Sequence, residues 1–270
     1  MKVFRQSLLL ITFTLFSFNG VNASQTCDPF TSISIDTYSE LDEFLNDYGH
    51  CTVIPGKLIF GGSEITKIEK FGVIEELQGG LVLKSPLQDI KGLANVRIIG
   101  QELTIDGTSQ GNSLENLNAL SNLTRVGNLS LWNMSKLLNI DALAGLTHVE
   151  GRLEIWRNRK LQTIDGLRFV TKINNGVLLA ENSTISDLEA FRTLETTGGR
   201  FGIYSNASLG NCYGIKHLLN EDGEVYGRIE NNRTGCNSAA EVMGSQQASD
   251  WTRPAYCWSD ETITLSNQAQ

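Results

Sequence analysis

Apolar residues recur along the middle of the chain with a period of about 24 residues. Each repeat holds a short stretch in which apolar and polar residues alternate, as in residues 128–131 and 152–155. Alternation with period two is typical of a strand with one buried face. A glycine that could form a sharp corner precedes most of these stretches. We expect strands near 57–60, 81–83, 102–105, 128–131, 152–155, 176–179 and 200–203, with an eighth at 224–230.

The other half of each repeat places apolar residues three positions apart, which fits a short helical turn or a bent second strand. One apolar column runs through Ile68, Ile90, Leu117, Ile140, Ile164 and Leu188. A single repeat cannot bury these side chains, whereas stacked repeats enclose them in one interior. The pattern therefore predicts a mainly β solenoid of parallel strands with about seven turns. The insertion at 107–113, rich in Gly, Ser and Asn, is expected to form a loop.

Both ends of this repeat region carry features that would cover an open solenoid end. Thr37 and Glu40 form a potential capping box before an amphipathic helix that leads to Cys51. The five cysteines include no CxxC pair, so disulfides are favoured over a zinc site. A Cys27–Cys51 bridge would tie the helix to the first turn, and a Cys212–Cys236 bridge would close the last one. Cys257 is left over and could join two chains.

The run from Glu40 through Cys51-Thr-Val-Ile-Pro-Gly-Lys-Leu-Ile-Phe60 resembles the opening of a receptor L domain. This family supplies the ligand-binding lobes of the insulin and epidermal growth factor receptors, and occurs in related microbial surface proteins. Ile164-Asp-Gly-Leu167 is similar to its repeat, and the resemblance covers about residues 27–237. It implies a right-handed parallel β-helix, leucine-rich-repeat-like, with a capping helix, disulfide-tied ends and a binding role. Pro55, the 107–113 insertion and the lack of a cysteine-rich or kinase region depart from the family, so receptor signalling is not carried over.

The N-terminus predicts export. Lys2 and Arg5 precede an apolar run, and Ala23 offers a signal-peptidase site, so we expect a signal peptide at 1–23. A receptor-L-domain-like β-solenoid at 24–240 and a C-terminal tail at 241–270 would follow. We expect no membrane insertion after cleavage and a secreted, extracellular or periplasmic location. The net charge of −8 disfavours nucleic acid as a partner.

Exposed aromatic residues next to arginines suggest a binding face. If Leu129 and Leu153 point inward, alternation turns Trp132, Trp156 and Tyr204 outward, with Arg152 and Arg157 beside them. Aromatic side chains with arginine are typical of protein-binding hot spots, and flat rings can also stack on sugars. The alternative is that the tryptophans pack under the 107–113 loop or the tail, or shield the sheet.

The function favoured by these patterns is non-enzymatic recognition of a protein or glycan ligand. A structural envelope protein without a specific ligand is an alternative, and a carbohydrate-active β-helix enzyme is a weaker one because no carboxylate pair or Ser-His-Asp set is legible. We expect no catalytic residue, metal or cofactor.

Asp141 and Asp165 align in the repeat and are expected to cap the following turn. Sequons begin at Asn122, Asn128, Asn133, Asn182, Asn206 and Asn232.

Overall fold

The computed structural model describes residues 25–107, 111, 113–219 and 227–244. The predicted signal peptide, Cys257 and all but the start of the predicted tail lie outside these residues, as does part of the 107–113 insertion. The described chain is mainly β and winds as a solenoid, with parallel strands on its walls and short helical turns between them.

Fourteen strands are present in the described part of the chain. In chain order, β1 to β14 are Ser32–Ile35, Val53–Ile54, Lys57–Phe60, Glu76–Leu77, Leu81–Leu83, Ile98–Asp106, Arg125–Trp132, His148–Val149, Leu153–Trp156, Lys172–Ile173, Gly176–Ala180, Thr196–Thr197, Arg200–Tyr204 and Gly227–Glu230. The strands expected from residue 57 to residue 203 are confirmed to within a few residues. β1 was not predicted, and the described part of the eighth predicted strand forms β14.

All of these strands pair in parallel, turn against turn. The main wall has the order β1-β3-β5-β6-β7-β9-β11-β13-β14. The two-residue strands form a second row beside it, and the long strands β6 and β7 pair in both rows. An irregularity between Ile99 and Glu102 bends β6 between the two rows.

The core is a stack of aliphatic side chains from equivalent positions. Leu129 lies opposite Leu153, Leu153 opposite Val177, and Val177 opposite Phe201. Each of these four is at most 4% exposed. Neighbouring parallel strands lie about 4.8 Å apart, so each side chain packs directly on its equivalents in the next turns. The predicted column from Ile68 to Leu188 is likewise buried.

Short 3₁₀ turns form the opposite side of the coil. They span Lys91–Asn95, Asn118–Leu120, Asp141–Gly145, Asp165–Leu167, Glu189–Thr193 and Tyr213–Leu218. The expectation that Asp141 and Asp165 cap these turns is wrong. Their backbone N–H groups instead donate to the side-chain oxygens of Asn139 and Thr163, at 3.2 and 3.1 Å. The capping side chain therefore lies two residues earlier, as in an Asx or Ser/Thr turn.

A ladder of buried asparagines lines the corner where the main strands end. Asn158, Asn182 and Asn206 are fully buried, and each side-chain oxygen accepts from the backbone of the preceding turn at 2.8–3.0 Å. Each amide nitrogen donates to a strand carbonyl at 2.9 Å. The residue before each asparagine has a positive φ, for example 59° at Arg157 and 57° at Glu181. The chain bends sharply inward there, and the amides satisfy the backbone groups that this bend removes from the ladder of strand hydrogen bonds.

Helix α1, Tyr38–Tyr48, follows β1 near the N-terminal end of the described coil. The capping box is confirmed: the N–H of Glu40 donates to Thr37 Oγ1 at 3.2 Å, and Thr37 N–H donates back to Glu40 Oε2 at 3.0 Å. Leu41 and Phe44 are buried against the first turn. The predicted Cys27–Cys51 disulfide is present beside this helix.

The C-terminal end carries the second predicted disulfide, Cys212–Cys236, followed by helix α2, Ala239–Gly244. Val242 in α2 is fully buried and belongs to the hydrophobic core. The two disulfides indicate a protein that folds outside the reducing cytoplasm. Across the described ranges, no helix has the length and apolar character to cross a membrane.

Candidate ligand-binding face

The predicted aromatic residues share one outward column of the main wall. Register places Asp106 opposite Trp132, Trp132 opposite Trp156, Trp156 opposite Ala180 and Ala180 opposite Tyr204. We call these five positions the outward column. Trp132, Trp156 and Tyr204 are all partly exposed, whereas Ala180 is buried. The two tryptophans occupy equivalent places on neighbouring turns, as the alternation predicted.

Trp156 is held by two charged residues at the corner of the coil. The guanidinium of Arg157 lies 4.1 Å from the centre of its ring. Glu181, one turn on, accepts from Trp156 Nε1 at 3.1 Å and from Arg157 Nε at 2.8 Å. The bond from Arg157 lowers the pKa of the Glu181 carboxyl, partial desolvation opposes this, and the indole N–H lowers the pKa further. This arrangement fixes the orientation of the indole and covers one of its faces.

Trp132 has a different environment. Its Nε1 atom is buried and has no hydrogen-bond partner among the residues that the structure describes. Next to it, Asn133 Nδ2 donates to Asp106 Oδ1 at 3.4 Å, where the strand enters the predicted insertion. A half-buried indole with a buried polar atom agrees with partial packing of Trp132 against its surroundings. For Trp132, this environment favours the alternative in which the tryptophan packs against the chain.

Tyr204 borders a groove in the same wall. The groove has a volume of about 560 Å³ and is floored by Leu178 and Gly202 on neighbouring strands. Gly202 is open to this space, because a β-carbon there would lie 3.5 Å from both Leu178 Cδ1 and Tyr204 Cε1, an ordinary contact distance. We call this feature the Gly202 groove. Its size falls in the about 300–1,000 Å³ range of small-molecule sites.

The rim of the Gly202 groove is basic. It carries Arg152, Arg200 and Arg228, with Glu154 as the one acid among its lining residues. Arg152 Nη1 donates to Glu154 Oε1 at 3.0 Å. The guanidinium of Arg228 lies 3.8 Å from the centre of the Tyr204 ring, and its Nη1 is 3.0 Å from Glu230 Oε1. The lining of the groove therefore has a net positive charge, whereas the chain as a whole has a net charge of −8.

The predicted site residues are divided by this geometry. Arg152 and Tyr204 line the Gly202 groove. Trp156 and Arg157 lie at the far end of β9, and Trp132 lies on β7, so these three are not among its lining residues. Sequence reasoning missed the part played by Glu181, which follows Arg157 by one 24-residue step. That step was the available signal, because residues one repeat apart are spatial neighbours. The asparagine ladder was also missed, although the same 24-residue step separates Asn158, Asn182 and Asn206.

Two other potential sites have structural explanations. The ligand atoms of Cys27, His50 and Cys51 lie close enough together for a metal ion, but the disulfide occupies both sulfurs. Among the sequons, Asn182 and Asn206 have fully buried amides committed to the ladder. The two asparagines serve the fold rather than glycosylation, because glycan attachment would separate each amide from its hydrogen-bond partners.

No protein-family model, curated protein or solved structure matches this chain. The class that the structure itself defines is a disulfide-containing parallel β-solenoid with a charged and aromatic outward face.

Proposed function

We propose that this chain is an exported recognition module, similar in organisation to a receptor L domain, that binds a protein or glycan on the outward face of β7, β9, β11 and β13. In this proposal the solenoid is right-handed, has about seven turns and uses α1 as its N-terminal cap. The signal peptide at 1–23 directs the chain out of the cytoplasm. The structural envelope protein is the alternative that a test must separate from it.

The observation that carries the proposal is the alignment of the outward column beside a basic groove. Side chains from four successive turns contribute to one surface, and the asparagine ladder lies directly behind it. A rigid support of this kind lowers the entropic cost of ordering a binding surface. Arginine and aromatic side chains supply large contact areas and directional contacts.

A binding role is favoured over catalysis by the chemistry of this face. Glycoside hydrolysis ordinarily needs two carboxyl groups at a defined separation. In the Gly202 groove, Glu154 is the one carboxylate among the described lining residues, and it is paired with Arg152. Glu181 is bonded to Arg157 and Trp156, and its lowered pKa makes it a poor general acid.

The test is a ligand screen with a matched pair of variants. Purified wild-type chain is applied to a glycan array and to a panel of surface proteins. Each ligand found is then titrated with the Trp132→Ala/Trp156→Ala double variant and with Leu138→Ala. Leu138 is 41% exposed and lies outside the outward column, so its removal is the control for loss of exposed apolar surface.

We expect the double variant to lose at least tenfold in affinity while keeping a folded circular dichroism spectrum, and Leu138→Ala to bind like the wild type. Unchanged binding by the double variant would contradict the proposal. Absence of any saturable ligand, with full stability of the double variant, would favour the envelope protein.

A further inference from the structure

The Gly202 groove has the features of a site for an anionic sugar. Glycine at position 202 exposes backbone in the middle of an otherwise side-chain-covered face, so a flat ring can approach the strand closely. Leu178 supplies an apolar floor and the Tyr204 ring borders it. A polarised, partly apolar ring such as a pyranose fits this mixture of an apolar floor and a polar rim.

The charge of the rim selects an anion. Arg152 just before β9, Arg200 in β13 and Arg228 in β14 line one groove of about 560 Å³. Arg152 and Arg228 each also form an ion pair with a glutamate of the same wall. Guanidinium groups bind carboxylates and sulfates through paired N–H donors. Because the rest of the chain is acidic, this local positive charge does not follow from the overall composition.

An extended peptide is a poorer fit for the groove. β9, β11 and β13 are hydrogen-bonded on both sides, so they offer no free edge to which a peptide strand could be added. Recognition there does not use strand pairing. The groove is also short along the strands, since the residues that line it come from a few positions on each.

We propose that the Gly202 groove binds a carboxylated or sulfated sugar residue of an anionic polysaccharide. This rests on the proposed function of the outward face and names its ligand class. The acidic group pairs with the arginine rim, and the sugar ring lies over Gly202 and Leu178. Arg228, stacked on Tyr204, positions the ring of the tyrosine as well as contributing charge.

The test uses two pairs of defined probes with the full chain. Oligogalacturonate is compared with its methyl ester, and dextran sulfate with dextran, by calorimetric titration at low and high salt. Gly202→Leu fills the groove, and its matched control is Ser34→Leu, an exposed position of the same outward row at the other end of the sheet. Arg228→Gln is matched by Arg125→Gln, an exposed arginine paired with Glu150 away from the groove.

We expect saturable, salt-sensitive binding of at least one anionic probe and at least tenfold weaker binding of its neutral partner. Gly202→Leu and Arg228→Gln should each weaken that binding at least tenfold, and both controls should stay within twofold of the wild type. Which anionic probe binds distinguishes carboxylate from sulfate recognition.

Three outcomes would overturn the proposal: no binding of either anionic probe, equal binding of the neutral partners, or unchanged affinity in both groove variants. Since neither groove variant alters a tryptophan, another ligand that still depends on Trp132 and Trp156 would leave the proposed function standing while this inference fails. Retention of all ligand binding by the tryptophan double variant would count against the proposed function instead.

Discussion

The backbone N–H of Asn158 donates to the side-chain oxygen of Asn182, 24 residues further on, at 2.9 Å. The amide nitrogen of Asn182 in turn donates to the carbonyl of Ile155 at 2.9 Å. One side chain therefore satisfies a donor and an acceptor at the corner of the preceding turn, where strand pairing ends. The relationship ties two consecutive turns together beside the outward column.

Removal of this amide should destabilise the protein markedly. Asn182→Ala leaves the Asn158 N–H and the Ile155 carbonyl buried without these partners, and each such group costs about 1–3 kcal/mol. We expect a loss of about 2–4 kcal/mol in the free energy of unfolding, measured by denaturant titration. Asn122→Ala is the control, because Asn122 is an exposed sequon asparagine whose amide bonds only to Ala94 O in the described structure. Equal effects of the two substitutions would show that the ladder does not form.

The two disulfides should stabilise the protein by similar amounts, because each restricts the unfolded chain. Both close loops with a sequence separation of 24, for which the loop-closure model gives about 3–4 kcal/mol. We expect Cys27→Ala/Cys51→Ala and Cys212→Ala/Cys236→Ala each to lower the free energy of unfolding by an amount of this order. The second pair should cost more, since both of its cysteines are fully buried whereas Cys27 is partly exposed. A larger loss from the first pair would contradict this reasoning.

Asp165 should make the stability of the chain pH-dependent. Burial raises the pKa of its carboxyl, and the charges of Asp187 and Asp141 raise it further, while Thr163 and Arg168 oppose this. The folded state then binds more protons than the unfolded state between the unfolded pKa of about 3.9 and the raised native value. Stability therefore falls as the pH rises through that window, and the penalty persists at neutral pH.

The Asp165→Asn variant removes the penalty. We expect it to be more stable than the wild type at pH 7, with a difference that disappears near pH 3, when measured by urea unfolding across this range. Asp42→Asn, an exposed carboxylate on α1 that is not among the charges acting on Asp165, is the control. A variant that is less stable than the wild type at pH 7 would show that the carboxylate of Asp165 is stabilising.

Glu181 should couple the environment of Trp156 to acid pH. Its bonds to Arg157 and Trp156 depress the pKa of the carboxyl, so they persist above its usual value of about 4.3 and are lost only as the pH falls through the depressed value. We expect a change in tryptophan fluorescence on acidification below the usual glutamate range. The change should be absent in Glu181→Gln and retained in Glu154→Gln. If both variants showed the same change in fluorescence, that change would belong to another titrating group.

The strands could be predicted from the sequence because the burial of every second side chain produces a visible alternation. Leu153 and its equivalents must share one interior, and their period is visible without any knowledge of contacts. The cysteine pairs were predicted from their places at the two ends of the repeat region, and in the structure 24 residues separate the partners of each pair. The capping box at Thr37 and Glu40 was legible because it depends on local spacing alone.

The groove and its ion pairs could not be predicted from the period of the sequence. Alternation shows that Gly202 and Arg228 face outward, but the opening between them depends on where neighbouring side chains turn. Arg157 was predicted beside Trp156, but Glu181 was missed because it lies just past the end of its strand, at a corner with a positive φ. The Asp141 error has a similar origin, since the cap depends on the backbone path two residues earlier.

The most direct test of the account is whether equivalent side chains of successive turns touch. In a methyl-labelled sample of the full chain, nuclear Overhauser contacts should join the methyl groups of Leu129 to Leu153 and of Leu153 to Val177. Leu129 and Val177 are two strands apart, about 10 Å, and should give no direct contact. Lack of the first two contacts, or a strong direct one between Leu129 and Val177, would contradict the stacked solenoid on which the binding face depends.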